Sequence, residues 1–177
     1  MRNQVSDLQS TAKKIETTLE LPFSLIDLRT ENEHFQFQFL RFHDGQTEDS
    51  IRMGGITGEF GIVYEGAGMH CAFRCDITVG NVHDFYQALN DAYQALDGQS
   101  AILKNYGDHL NRTRLAIRFD RHGHCTLDGM IQNKENHYHS GVIVSLQGDQ
   151  TDLFASLRAM RVFFGELQKI QGHSDFY

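Results

Sequence analysis

The fold is decided by residues 71–96, which read CAFRCDITVGNVHDFYQALNDAYQAL. Up to Val79 apolar and polar residues alternate, which is the period-two pattern of a half-buried strand. From Val82 onward the apolar residues recur every three or four positions, which predicts an amphipathic helix. Asn81 is the predicted N-cap of this helix, and Gly98 is the predicted left-handed residue after its end. This stretch therefore predicts a strand that leads directly into a helix.

The same two periods recur on both sides of that stretch. Strand-like alternation covers Phe35–Phe39, residues 100–105, residues 115–119, and the pair 124–132 and 137–146, which flank a turn-rich segment and should form a hairpin. Helical spacing predicts one helix over residues 7–20 and a last helix capped by Asp149. The predicted fold is α+β, a mainly antiparallel sheet of about six to eight strands with a helix packed after the first strands, a C-terminal helix and an extra N-terminal helix.

A single domain is the simplest organisation of the 177 residues. A chain of this length can bury about 70% of the surface that its unfolded form exposes, so it can build a core without staples. No sequence repeat, low-complexity tract or Pro/Ser-rich linker divides it. We expect one domain over residues 1–177, with an N-terminal helical extension over 1–22 and an α+β core over 35–171.

Charge and cysteine content predict a soluble cytoplasmic protein. The net charge is −7, whereas a general nucleic-acid binder is usually basic. No apolar stretch approaches the roughly 18 residues of a membrane helix, and the N-terminus lacks an apolar signal core. Cys71 and Cys75 lie four residues apart in an extended run, too far for a disulfide between them, and either could still pair with Cys125. An odd cysteine count in apolar surroundings favours reduced thiols.

The acidic residues are concentrated in the first part of the chain. From Asp27 to Glu65 eight acids face three bases, and Asp44, Glu48 and Asp49 fall within six residues beside a glycine. Charges of this kind steer encounters with a surface of opposite sign. We predict that these three carboxylates form part of a partner-binding surface; a solvated loop is the alternative.

Catalytic motifs are missing from the sequence, so we do not expect an enzyme. There is no Gly-x-Ser-x-Gly elbow, no His-Glu-x-x-His helix and no paired-cysteine metal motif. Ten histidines include the pairs His122/His124 and His137/His139, whose rings share one side of an extended backbone. A four-residue turn would set Gln132 opposite His137, which keeps the two pairs apart. We predict no metal and no cofactor, with His137 and His139 as a weak alternative metal site.

One basic stripe is predicted within the sheet. Arg112, Arg114 and Arg118 share the outward parity of one strand, and Lys104 and Arg121 lie nearby in the sequence. Such a stripe could contact RNA, but the sequence offers no exposed aromatic platform for stacking bases. We therefore predict a solvated strand face and no direct contact with nucleic acid.

The order of these features resembles the WapI-type immunity proteins over residues 35–171. The resemblance is carried by the segment that runs from Leu96 and Gly98 to Ile102 or Leu103, by Gly123 between two strands, and by Asp149-Gln150-Thr151 at the start of the last helix. The family contains bacterial cytoplasmic proteins that bind and neutralise a cognate toxin domain, commonly a nuclease. The resemblance implies the same function here, with a toxin domain as the partner and no membrane contact.

The predicted function is therefore that of a non-enzymatic immunity protein, which would block a basic toxin surface with acidic and polar side chains. A small-molecule or metal-binding module that uses the His-x-His pair on the sheet is the alternative. An uncharacterised enzyme is a third possibility.

Overall fold

The computed structural model of the protein describes residues 17–44, 55–105, 111–133 and 140–171. Within these ranges, four strands and a helix are followed by four more strands and a second helix. In chain order they are β1 (Phe23–Arg29), β2 (Glu33–Phe42), β3 (Thr57–Gly66), β4 (Met69–Thr78), α1 (Val79–Ala95), β5 (Ser100–Asn105), β6 (Asn111–Phe119), β7 (His124–Asn133), β8 (Ser140–Asp149) and α2 (Gln150–Gln171).

The strands form two four-stranded antiparallel sheets, each with its strands in chain order. The first sheet has the order β1-β2-β3-β4, and the second has the order β5-β6-β7-β8. The predicted α+β class, the antiparallel pairing and both later helices are confirmed. The prediction of a single sheet of about six to eight strands is corrected, since the eight strands form two separate sheets. Neither helix of the described residues is long and apolar enough to cross a lipid bilayer.

The predicted N-terminal helix over residues 7–20 is not seen. Residues 1–16 lie outside the described part of the chain, and residues 17–20 are not helical. There the Thr17 hydroxyl oxygen accepts the backbone N–H of Leu19 at 3.1 Å. This local bond competes with helical hydrogen bonding, and two successive threonines disfavour a helix through their branched Cβ atoms.

Both helices differ from the prediction at their ends. The helix α1 begins at Val79 instead of after Asn81, because the Val79 N–H donates to the Ile56 carbonyl at 2.7 Å and needs no side-chain cap. Its left-handed residue is Leu96, with φ of 48°, and not Gly98 alone. The last helix begins directly after Asp149, as predicted, and the Asp149 backbone N–H donates to the Asp152 carboxylate at 2.8 Å. The Asp149 carboxylate itself bonds His124, so its predicted capping role stays a prediction.

The β7–β8 hairpin is confirmed, but its predicted register is wrong. Gln132 pairs with Gly141 instead of His137, and Met130 pairs with Ile143. The error has a physical reason: a shift of four residues keeps every side chain on its predicted face, so the alternation of apolar residues does not distinguish the two registers.

Two strands were not predicted, and each departs from simple alternation. In β1 the register shifts between Ser24 and Ile26, which places the neighbours Leu25 and Ile26 both in the core. In β3 the glycines, such as Gly58, weaken the sequence signal of a strand, because glycine is depleted in strands. There a Cβ on Gly58 would come within 2.9 Å of the Phe39 ring, so the strand needs a residue without a side chain.

Each helix packs against the first strand of the sheet that it does not follow in the chain. The helix α1 follows the first sheet and lies along β5 of the second, whereas α2 follows the second sheet and lies along β1 of the first. The Phe163 ring of α2 stacks on Phe23 of β1, with centroids 6.2 Å apart. One hydrophobic cluster therefore contains buried residues from both sheets and both helices.

The two helices have four buried positions in common. Counted from the first residue of each helix, the fourth, seventh, eleventh and fourteenth residues are buried in both. They are Val82, Phe85, Leu89 and Ala92 in α1, and Leu153, Ser156, Met160 and Phe163 in α2. The two halves of the described chain thus repeat one topology, strand for strand and helix for helix.

Ser156 should stabilise the packing of α2 on β1. It is a buried polar residue, and its hydroxyl oxygen accepts the backbone N–H of Asp27 at 3.1 Å on the edge of β1. Ser156→Ala would leave that N–H without an acceptor, so we expect a loss of about 1–3 kcal/mol in the free energy of unfolding. Urea unfolding of the variant measures it. Ser145→Ala, which removes an exposed hydroxyl, is the control and should cost much less. Equal costs would contradict this role.

Candidate functional site

The predicted acidic loop is only partly within the described residues. Asp44 is exposed just after β2, whereas Glu48 and Asp49 lie outside the described ranges. The pKa of the Arg41 guanidinium is raised, first by its hydrogen bond to Glu59 and in smaller part by the charge of Asp44. The role of the three carboxylates as a partner-binding surface stays a prediction.

Acidic side chains on the outer face of the first sheet are matched by nearby arginine and histidine side chains. Glu59 accepts a hydrogen bond from Arg41 at 2.7 Å and one from Arg74 at 3.3 Å, and the first of these holds the pKa of Glu59 below its usual value. The same pattern recurs along the face in the pairs Asp27–His34, Glu65–His70 and Asp76–His43. This face is therefore a mixed-charge surface and not a block of unmatched negative charge.

Of the predicted histidine pairs, one lies in the described chain. The rings of His122 and His124 have centroids 6.4 Å apart, while His137 and His139 lie outside the described ranges. His124 Nδ1 is 2.8 Å from Asp149 Oδ1, and this hydrogen bond raises the pKa of His124. Within the described ranges, no three His, Cys, Asp or Glu side chains are grouped so that they could hold a metal ion.

A groove of about 960 Å³ opens beside this histidine, at one end of the second sheet. His124 and Asp149 line it together with Arg118, Cys125 and Thr126. The His124–Asp149 pair could accept or release a proton, but a nucleophile would be needed for covalent catalysis. The two candidates in the groove do not supply one: the Thr126 hydroxyl has no hydrogen bond to the described residues that could activate it, and burial raises the pKa of the Cys125 thiol to about 11.

All three cysteines are free thiols, as predicted. Cys75 and Cys125 are buried, and burial raises the pKa of each to about 11. At neutral pH both therefore stay protonated and unreactive. They fill space in the core and do not form a reactive site.

The outer face of the second sheet combines positive charge with exposed apolar surface. One rung across its four strands consists of Lys104, Arg114, Met130 and Ile143, each paired with the next. Ile143 is 83% exposed, and Ile102, on the neighbouring rung, is 37% exposed. We call this set of five residues the basic-apolar face. Arg114 and Arg118 both lie on the outer side of β6, as the sequence predicted.

Among the described residues, no acidic side chain neutralises the cations of the basic-apolar face. Lys104 lies directly opposite Arg114, and like charges at opposed positions destabilise a sheet. Neither side chain has an acidic partner within the described ranges. By contrast, the Arg118 guanidinium donates to Asp128 at 2.8 Å, and Asp128 also accepts the Ser145 hydroxyl. The unmatched charge is thus confined to one end of the face.

Sequence reasoning found the arginines of this face but missed its apolar half. Alternation places Arg114 and Arg118 on the outer side whatever the pairing. Whether Arg114 and Ile143 lie on the same rung of the sheet depends on the β7–β8 register, which the sequence predicted wrongly. The signal that could have found it is Ile143 itself. It is an apolar residue at a position of β8 where the alternation calls for a polar one.

Comparison of the chain with protein-family models, with curated proteins and with solved structures found no match.

Two histidines should titrate on opposite sides of the ordinary histidine pKa. The hydrogen bond to Asp149 favours protonated His124, whereas partial burial favours neutral His83, so the pKa of His124 is raised and that of His83 is lowered. NMR titration of the ring protons measures both. His124 should stay protonated to a higher pH than His83, and Asp149→Asn should lower the His124 midpoint only. Coincident midpoints, or a His124 midpoint insensitive to Asp149→Asn, would contradict the assignment.

Proposed function

We propose that this chain is a non-enzymatic binding protein of the immunity type, which neutralises a cognate toxin domain by covering part of its surface. We further propose that the basic-apolar face is the part that contacts the toxin. The resemblance of residues 35–171 to WapI-type immunity proteins supports the first statement. The second rests on the face itself.

One observation carries the choice of surface: the opposed pair Lys104 and Arg114 beside the exposed Ile143. The fold gains nothing from two like charges that face each other, nor from a large apolar side chain in water. A partner with carboxylates around an apolar centre would neutralise the first and bury the second. Interfaces commonly have this arrangement, with an apolar core and a polar rim.

A protein partner fits this face better than RNA. Proteins that bind single-stranded RNA on a sheet stack its bases on aromatic side chains. The described outer positions of the second sheet carry Ile102, Met130 and Ile143 but no phenylalanine, tyrosine or tryptophan. Aliphatic side chains bury well against a protein surface and provide no stacking plane.

This surface differs in sign from the one that the net charge suggests. The sequence predicts that acidic side chains such as Asp44 cover a basic toxin surface, whereas the basic-apolar face requires acidic groups on the toxin. The matched acids of the first sheet favour the second arrangement, because Glu59 already lies between two arginines. The two arrangements are separated by charge variants of each surface.

The test requires the cognate toxin domain, which is sought first in the gene immediately upstream. Ile143→Asp should weaken its binding at least about tenfold, the loss expected at an interface hot spot. Lys104→Gln should also weaken binding, yet it should slightly raise the midpoint of thermal unfolding of the free protein, because it removes the repulsion by Arg114. Calorimetry of binding, thermal unfolding and growth protection against the co-expressed toxin measure these effects.

Met69→Asp is the matched control, because Met69 is 53% exposed on the first sheet and carries no part of the proposed interface. It should leave binding within about twofold of the original. Loss of binding on combining Asp44→Asn, Glu48→Gln and Asp49→Asn, with Ile143→Asp harmless, would move the interface to the acidic loop. No binding and no protection by the unaltered chain would refute the proposed function.

A further inference from the structure

A second surface lies between the two helices, away from the residues of the basic-apolar face. It is a groove of about 390 Å³, which we call the helix groove. Tyr93 of α1 lines it together with Phe154, Leu157 and Val162 of α2. Phe154 is 60% exposed and Val162 is 49% exposed, although both are large apolar side chains.

The repeated topology shows that the fold does not require this groove. The fifth and eighth residues are His83 and Tyr86 in α1, and Phe154 and Leu157 in α2. Where α1 residues five and eight contact α2, Phe164 fills the space, with ring centroids 4.9 Å from His83 and 5.4 Å from Tyr86. Beside α2 residues five and eight, the corresponding aromatic residue is Tyr93, and there the groove stays open.

The outer stripe of α2 also differs from that of α1 in its chemistry. Phe154, Arg158, Arg161 and Val162 are exposed, and their spacing of four, three and one places them on one face of the helix. The corresponding α1 residues are polar or acidic: His83, Gln87, Asn90 and Asp91. A stripe of two cations between two exposed apolar residues is unusual for a solvated helix face.

The two arginines are not matched within the described chain. Neither Arg158 nor Arg161 has an acidic partner among the described residues, and both line the helix groove. Arginine forms its strongest hydrogen bonds with carboxylates, which it can grip with two parallel N–H groups. The groove thus offers an apolar floor and a cationic rim in a protein whose net charge is −7.

We propose that the helix groove binds an acidic amphipathic helix of a partner protein. Its apolar side chains enter between Phe154 and Val162, which lie eight residues apart, or about 12 Å along α2. Its carboxylates pair with Arg158 and Arg161. A helix laid into an apolar groove between two others is a common mode of peptide recognition, and the sign of the rim selects an acidic ligand. This site is independent of the proposed function.

The probe is a fluorescein-labelled peptide of about 16 residues, long enough to form a helix, with leucines at helical spacing and glutamates on the flanking positions. A second peptide carries lysines in place of the glutamates. Fluorescence anisotropy should show binding of the acidic peptide and at least about tenfold weaker binding of the basic one. Arg158→Ala and Val162→Asp should each weaken the acidic peptide by a similar factor.

Gln87→Ala is the matched control for Arg158→Ala, since Gln87 is the ninth residue of α1 and Arg158 the ninth of α2. It should leave peptide binding unchanged, and so should Arg114→Gln, which alters the basic-apolar face instead. Circular dichroism confirms that each variant is folded. Equal binding of both peptides, or no binding of either, would overturn the proposal. So would a dimer of the protein alone that Val162→Asp dissociates in sedimentation velocity, or preferential binding of phosphatidylserine vesicles.

Discussion

The reciprocal packing of each helix on the first strand of the other sheet is the interaction on which the rest of this structure depends. A first strand is an edge strand, and its outward N–H groups need acceptors. The Ser156 hydroxyl of α2 supplies one of these for β1, and Phe163 buries the strand's apolar side. The helices cover the edge strands β1 and β5. The outer faces of the sheets do not contact these helices, so their side chains are not constrained by that packing.

Those outer faces show that the net charge of the chain does not describe its local surfaces. The chain has an excess of acids, but on the first sheet they are matched by arginine or histidine donors, as Glu59 is by Arg41 and Arg74. Two pairs of cations, in contrast, have no acidic partner among the described residues: Lys104 and Arg114 on the second sheet, and Arg158 and Arg161 on α2. Each cationic pair lies beside exposed apolar surface, which supports contact with partners more than solvation.

Local patterns were predictable from the sequence, and relations between elements were not. Periodicity placed β4, α1, β5 and α2 within a few residues, and the burial of Leu89 and Leu157 follows from it. The helix starts were less certain, because a backbone bond from Val79 to Ile56 replaces a side-chain cap. The repeated topology was invisible in the sequence, because equivalent buried positions carry side chains of different size and polarity, as Phe85 and Ser156 do. The two proposed surfaces were missed for a similar reason. The residues of the basic-apolar face come together through strand register, and those of the helix groove through the packing of α1 against α2.

The exchange of helices has a consequence for cutting the chain. A fragment that ends at Ala95 keeps all four strands of the first sheet but loses the helix that covers β1, and the buried side of its own helix, with Phe85 and Leu89, loses β5. Two such fragments would present complementary surfaces to each other, each with a bare edge and an unoccupied helix. The full chain therefore has the architecture of an intertwined pair of half-length subunits, covalently joined by the four residues between α1 and β5. Cooperativity between the halves is built into that connection, since neither helix can be displaced without uncovering the opposite sheet.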